Sequence, residues 1–144
     1  MSYATVDDMV SRFGALEMLR LSVADGSLPA ADEPMPEARI AQALQDASLQ
    51  IDSYLRIRYA VPVTPAPESL VRAACVLARY DLAHGGDREP SEQMRLARKE
   101  VREWLQGLGA GTASLEGLVP VSAGSGARVS DRPPAFVTRA DGGL

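Results

Sequence analysis

The sequence contains one cysteine, Cys75, and one histidine, His84, which excludes an intrachain disulfide and a zinc site built from several cysteines or a histidine pair. Aromatic residues make up only 5% of the chain, so the core must be largely aliphatic. Such a core favours packed helices over a β-sandwich, which uses β-branched and aromatic side chains.

No apolar run is long enough for a membrane span, and the acidic N-terminus lacks a signal-peptide pattern. We therefore expect a soluble protein, made in the cytoplasm, with no membrane partner.

The chain has 144 residues, of which 46% are hydrophobic and 24% are charged, as in an ordinary globular domain with a real core. Its formal net charge of −4 argues against a protein that wraps nucleic acid, because phosphate neutralisation requires clustered Lys and Arg. A local basic stripe remains compatible with this charge.

Apolar residues recur at steps of three and four in four stretches, which predicts an all-α fold, a small bundle of four to five helices. The stretches are 5–22 (two short helices or one kinked helix, interrupted at Gly14), 36–57, 67–83 and 90–108. A long proline-rich loop at 24–36 separates the first two stretches. The stretch 67–83 is apolar nearly all round, which predicts a central helix or one that also forms a subunit interface.

The apolar pattern also predicts which side chains face the core. After Gly14, Leu16 and Leu19 should continue the apolar face of Met9 and Phe13. In the last helix the residues expected to face inward are Met94, Ala97, Val101, Trp104, Leu105 and Leu108, and those expected to end it are Gly107, Gly109 and Gly111.

The composition changes sharply from Thr112, and we predict a helical domain over 1–118 followed by a flexible linker and an extended C-terminal arm over 119–144. Residues 123–126 read Ala-Gly-Ser-Gly, a flexible composition, and Pro133-Pro134 favours extended chain beyond it. Residues 114–119 are expected to dock on the bundle. An aromatic residue behind such a spacer is typical of a segment that orders on binding.

We find no constellation that supports catalysis, and we predict no catalytic residue, cofactor or metal ligand. Cys75 lies within an apolar helix and is interpreted as a buried structural thiol, and His84 as a helix C-terminal residue. The carboxylate pairs Asp7/Asp8 and Asp46/Asp52 are interpreted as helix-capping or solvated acids, because catalytic carboxylates must converge in a pocket. An enzyme of unrecognised type remains the least favoured alternative.

Four cations at helical spacing form the principal candidate interface, namely Arg95, Arg98, Lys99 and Arg102. They could contact phosphates or a neighbouring subunit, although interleaved Glu92, Glu100 and Glu103 dilute their field. A small DNA-associated regulator that uses helix 91–108 is therefore the alternative to a structural role.

Several strings, in this order and spacing, resemble one family over most of residues 3–118. They are Tyr3-Ala4-Thr5 with Asp7-Asp8-Met9 and Arg12-Phe13-Gly14, Asp46-Ala47-Ser48 with Ile51-Asp52-Ser53-Tyr54-Leu55, Arg58-Tyr59 with Pro62, Ala74-Cys75 with Ala78-Arg79-Tyr80, and Trp104-Leu105. The family is that of the Mu-type phage and prophage head–tail adaptor proteins, long catalogued as a domain of unknown function. The loop at 24–36 and the linker at 123–126 depart from its pattern.

The resemblance implies a structural virion protein of the neck, whose copies form a ring, commonly twelvefold, under the portal protein. Such a ring completes the head and offers a platform to a tail terminator or another neck protein. Double-stranded DNA passes through its lumen without sequence-specific binding. Phe136-Val137-Thr138-Arg139 also looks like the C-terminal arm of the family, and Arg132, Phe136, Val137 and Arg139 complete the candidate interface.

Overall fold

Five helices account for most of the described residues in a computed structural model that describes residues 1–23, 30, 32–85 and 88–121. The helices are α1 (Val6–Phe13), α2 (Ala15–Ser22), α3 (Glu37–Leu55), α4 (Glu68–Ala83) and α5 (Glu92–Ala110). No β-strand occurs in those ranges, and the predicted all-α bundle is confirmed. Part of the proline-rich loop and the arm beyond Val121 lie outside the described residues, so the division into a 1–118 domain and a 119–144 arm stays a prediction.

The N-terminal stretch forms two helices rather than one kinked helix. Thr5 and Asp8 form a reciprocal capping box at the start of α1. Gly14 separates α1 from α2 with a φ of +92°, a conformation that glycine adopts without strain. The prediction for Leu16 is wrong, since its side chain is 59% exposed while that of Met18 is fully buried. The prediction for Leu19 is right, since its side chain is only 9% exposed. The turn at Gly14 redirects α2 so that Met18, rather than Leu16, joins Leu19 in the core.

The α3 helix buries the predicted stripe, which comprises Ile40, Leu44, Ala47, Ile51 and Leu55. It ends two residues before the predicted Ile57. The chain turns over residues 56–58, where the Tyr59 N–H donates to the Leu55 carbonyl, and this turn buries the Tyr59 ring. Ile57 is consequently left 70% exposed.

The α4 helix is the centre of the bundle, as its composition predicted. It packs against each of the other four helices. Its buried residues are Leu70, Ala73, Ala74, Cys75, Leu77, Ala78, Leu82 and Ala83. Two arginine–carboxylate pairs fasten the N-terminal helices to it, Arg12 with Glu68 and Arg79 with Glu17.

The α5 helix continues past Leu108 to Ala110, because only one of the three predicted glycine terminators ends it. Gly111 is the C-cap, in the left-handed region with a φ of +91°. Gly107 and Gly109 lie inside the helix. At Gly109 an added Cβ would come within 3.2 Å of the Tyr54 carbonyl oxygen, so this glycine permits the close approach of α5 to α3. Ala97 and Trp104, expected to face inward, are only half-buried.

Side-chain hydrogen bonds attach the irregular segments to the helices. The Tyr3 hydroxyl donates to the Asp52 carboxylate and accepts from the Val63 N–H at 3.1 Å, while the Ser48 hydroxyl accepts from the Tyr3 N–H. The Arg88 guanidinium donates to three carbonyls at the end of α2, those of Arg20, Leu21 and Val23. These bonds satisfy backbone groups that would otherwise be left unpaired at a helix end or in a loop.

We expect Tyr3→Phe to lower the free energy of unfolding by about 1–3 kcal/mol, because it leaves the buried Val63 N–H without an acceptor. Urea denaturation at neutral pH measures the change. Tyr54→Phe is the matched control, since the Tyr54 hydroxyl makes no hydrogen bond among the described residues, and it should change stability by less than about 0.5 kcal/mol. Equal effects of the two substitutions would contradict the role given to Tyr3.

The same tyrosine should make stability fall at alkaline pH. Burial and the hydrogen bond to Asp52 raise the pKa of Tyr3 to about 12 from 10.0. The folded state therefore keeps a proton that the unfolded state loses, and this contribution is complete below pH 10 and lost as the pH rises to about 12. Urea titrations between these pH values should show a shallower fall for Tyr3→Phe than for the wild type. Parallel falls would contradict the prediction.

Candidate interaction surfaces

The chemically reactive side chains lie apart from one another. Cys75 is fully buried, and burial raises the pKa of its thiol to about 11 from 9.0, which disfavours the thiolate. His84 caps the end of α4 and stacks on Tyr80, with ring centroids 6.0 Å apart. Within the described ranges, no group of three or more His, Cys, Asp and Glu side chains could hold a metal ion. No helix there is long and apolar enough to cross a membrane.

The predicted carboxylate pairs do not converge. Asp8 belongs to the capping box of α1, and Asp7 is exposed beside it. Asp46 accepts a hydrogen bond from the Gln42 amide, whereas Asp52 accepts one from the Tyr3 hydroxyl. Each of these three bonded acids thus has a local structural partner.

The four predicted cations of α5 come together in one surface depression, which we call the basic groove. Its volume is about 370 Å³, and it is lined by Arg95, Arg98, Lys99, Arg102, Glu103 and Gln106. All six residues belong to α5, whose turn of 3.6 residues brings positions three and four apart onto one flank. Four cations against one carboxylate make this groove electropositive on a chain whose formal net charge is −4.

Two of these cations are held in place by neighbours. The Arg98 guanidinium lies over the Tyr80 ring of α4, 4.4 Å from its centroid, and Arg95 pairs with Glu89 at 3.1 Å. Lys99 is largely exposed and its ammonium lies 4.0 Å from the Glu103 carboxylate. Arg102 buries its Nε atom without a hydrogen-bond partner among the described residues. The groove is therefore partly ordered before any partner binds.

The other four candidate interface residues, Arg132, Phe136, Val137 and Arg139, lie outside the described residues. Their assignment stays a prediction.

A second groove, which sequence reasoning missed, lies between α4 and α5 on the flank opposite the basic groove. We call it the Trp104 groove; its volume is about 290 Å³, and its lining residues are Ser69, Arg72, Ala73, Glu100, Val101 and Trp104. The Ser69 Oγ atom is buried without a hydrogen-bond partner among the described residues. One feature of the sequence could have indicated this groove: Trp104 lies at the margin of the apolar stripe of α5, one turn after the charged Glu100.

A third depression, of about 210 Å³, lies where the described chain ends. Leu115 anchors this last segment, since its side chain is buried and its N–H donates to the Tyr59 hydroxyl at 3.2 Å. The Val121 N–H then donates to the Arg58 carbonyl at 2.6 Å. Val119 and Val121 line the depression yet are 84% and 59% exposed. The docking expected of residues 114–119 is thus made by Leu115 and Leu118, which pack against the core, while Val119 faces solvent.

Comparison with known proteins identifies relatives among Mu-like phages. The family model described as Bacteriophage Mu, Gp36 matches residues 3–129. The chain is 37% identical over 109 residues to gene product J of Escherichia phage Mu, a match that covers 74% of this chain and 70% of the relative. It is 32% identical over 113 residues to the Mu-like prophage FluMu protein gp36 of Haemophilus influenzae, covering 78% of this chain and 74% of the relative.

Arg98→Ala should lower the free energy of unfolding by about 0.5–1 kcal/mol, because it removes the cation from the Tyr80 ring. Lys99→Ala is the matched control on the same flank, where an exposed ion pair contributes at most a few tenths of a kcal/mol, about 0.3–0.5. Thermal unfolding followed by circular dichroism compares the two. A larger loss from Lys99→Ala than from Arg98→Ala would refute this account of the groove.

Proposed function

The chain belongs to the bacteriophage Mu Gp36 family, and from that premise we propose that it is a head–tail adaptor subunit of the virion neck. In this role its copies form a ring beneath the portal protein, and the family resemblance implies twelve subunits. The ring completes the head and presents a platform to a tail terminator or another neck protein. The function is structural, and the proposal assigns no catalytic step to the chain.

The observation that carries this proposal is the pair of unlike surfaces on α5. The basic groove and the Trp104 groove occupy opposite flanks of one helix, and they differ in charge and in apolar character. A ring repeats a heterologous contact, in which each subunit presents two different patches to its two neighbours. Closure makes a modest contact strong, because every subunit is held on two sides.

DNA is the further partner that we propose for the ring, without sequence-specific binding. Arg95, Arg98, Lys99 and Arg102 present positive charge along one flank, as phosphate contacts require. The overall negative charge limits such contacts, which suits DNA that must pass through a lumen rather than remain bound.

The convergence of the four cations also favours a second candidate function, a small DNA-associated regulator that uses helix 91–108. This protein would act as a free subunit and would bind DNA through the basic groove. The two functions differ in assembly, so they are separable by experiment.

Size-exclusion chromatography with light scattering tests the adaptor. We expect the purified chain to form a closed oligomer, either alone at high concentration or when mixed with its portal protein. Discrete mass at a fixed subunit number supports the ring. A monomer at every concentration, also with the portal present, would rule it out.

A gel-shift titration at low salt tests the regulator. If it is correct, the monomer binds DNA, and replacing Arg95, Arg98 and Arg102 by Glu abolishes binding, with each lost phosphate contact lowering the salt slope by about 0.9. Replacing Glu92, which lies on α5 outside the groove, by Gln should leave binding unchanged. Absence of any shift at low salt would eliminate this function.

Removal of residues 123–144 should leave helical content and melting temperature almost unchanged, because the described core is complete without them. It should impair attachment to the next component of the virion, since the arm is predicted to order on binding. Circular dichroism and an infectivity complementation assay measure the two effects. A large loss of stability would mean that the arm packs into the core.

A further inference from the structure

We propose that the Trp104 groove is the docking site for residues 133–139 of this chain, the segment Pro-Pro-Ala-Phe-Val-Thr-Arg. The segment can reach the groove of its own copy or that of a neighbouring copy, and in a ring the second arrangement makes the segment part of the heterologous contact at this groove. The docking site goes beyond the adaptor role and does not depend on it.

The groove has an incompletely covered aromatic ring beside a small polar residue, Ser69, whose Oγ atom is enclosed by the protein. Trp104 is half-buried beside it, and Ala73 and Val101 provide apolar walls. An extended peptide matches these features, because its side chains can cover the exposed part of the ring and contact the apolar walls.

Residues 133–139 have the composition that such a groove selects. Consecutive prolines bind aromatic-lined grooves with little loss of conformational entropy. Phe136 is the only aromatic residue that follows Trp104 in the sequence, so it is the one available aromatic anchor. Arg132 and Arg139 flank the segment, and the groove has one exposed residue of each charge, Arg72 from α4 and Glu100 from α5. The Glu100 carboxylate complements the arginine that docks on the α5 side.

The end of the described chain places this segment within reach. Val121 is bonded to Arg58, whose guanidinium donates to the Leu108 carbonyl at 3.4 Å, so the chain leaves beside the C-terminal end of α5. Trp104 precedes Leu108 by one helical turn, about 6 Å along the axis. Residues 122–132 span at most about 40 Å when extended, and roughly 18 Å on average as a flexible linker. Both the groove of the same copy and that of an adjacent copy are accessible.

The sole tryptophan of the chain reports occupancy directly. In the full-length protein, Phe136→Ala should shift Trp104 emission to longer wavelengths and increase its quenching by acrylamide, because the ring loses its cover. Leu144→Ala is the matched control, an apolar truncation outside 133–139, and it should change neither property. Unchanged emission and quenching in Phe136→Ala would overturn the proposal.

Binding in trans gives a second measurement. A peptide of residues 130–141, added to the full-length Phe136→Ala protein, should restore the wild-type emission. The same peptide with alanine at position 136 should bind with an affinity at least about tenfold lower. Glu100→Lys should weaken peptide binding, whereas Glu103→Lys, on the opposite flank of α5, should not. No restoration by the peptide, or equal effects of the two lysine substitutions, would contradict docking in this groove.

Light scattering on the same samples separates this inference from the adaptor role. If the protein forms a ring but Phe136→Ala leaves Trp104 emission unchanged, the adaptor role stands and the docking site is refuted. If the protein stays monomeric but Phe136→Ala changes Trp104 emission, the docking site stands and the ring is refuted.

Discussion

The rest of the structure depends on the burial of α4. This helix is apolar around most of its circumference, so it is stable only when other elements cover most of its surface. Helices α1 and α2 cover one side, held by the ion pairs of Arg12 and Arg79, and α3 and α5 cover the others. Within the described residues, no further helix lies outside α5. The flanks of α5 therefore remain at the surface among the described residues, and both grooves are consequences of covering α4.

The fold was largely predictable because periodicity and capping are local properties of the chain. The capping box of Thr5, the stripe of α3 and the all-round apolar character of α4 are each visible within one element. The errors arose where a distant contact decides the outcome. Gly109 reads as a helix terminator by itself, yet it remains helical because α5 approaches the Tyr54 carbonyl of α3 at that position. Leu16 reads as a core residue until Gly14 reorients α2.

The two grooves differ in the same way in how far the sequence predicts them. Arg95, Arg98, Lys99 and Arg102 form one groove simply because they are spaced along a single helix, so the sequence was sufficient to group them. The Trp104 groove is shared between α4 and α5, and its members are distant in sequence until the two helices pack antiparallel. Nothing in the pattern around Ser69 indicates that its hydroxyl is buried without a partner. Such a position is defined only by the tertiary arrangement.

The burial of Cys75 has a practical consequence for measuring the geometry of the proposed ring. Thiol reagents such as maleimides attack the thiolate, and this protonated thiol inside α4 is shielded from them at neutral pH. A cysteine introduced at an exposed position of α5 would thus be the sole reactive thiol among the described residues. Fluorophores or cross-linkers attached there would measure spacing between neighbouring copies in a chain whose native thiol needs no replacement.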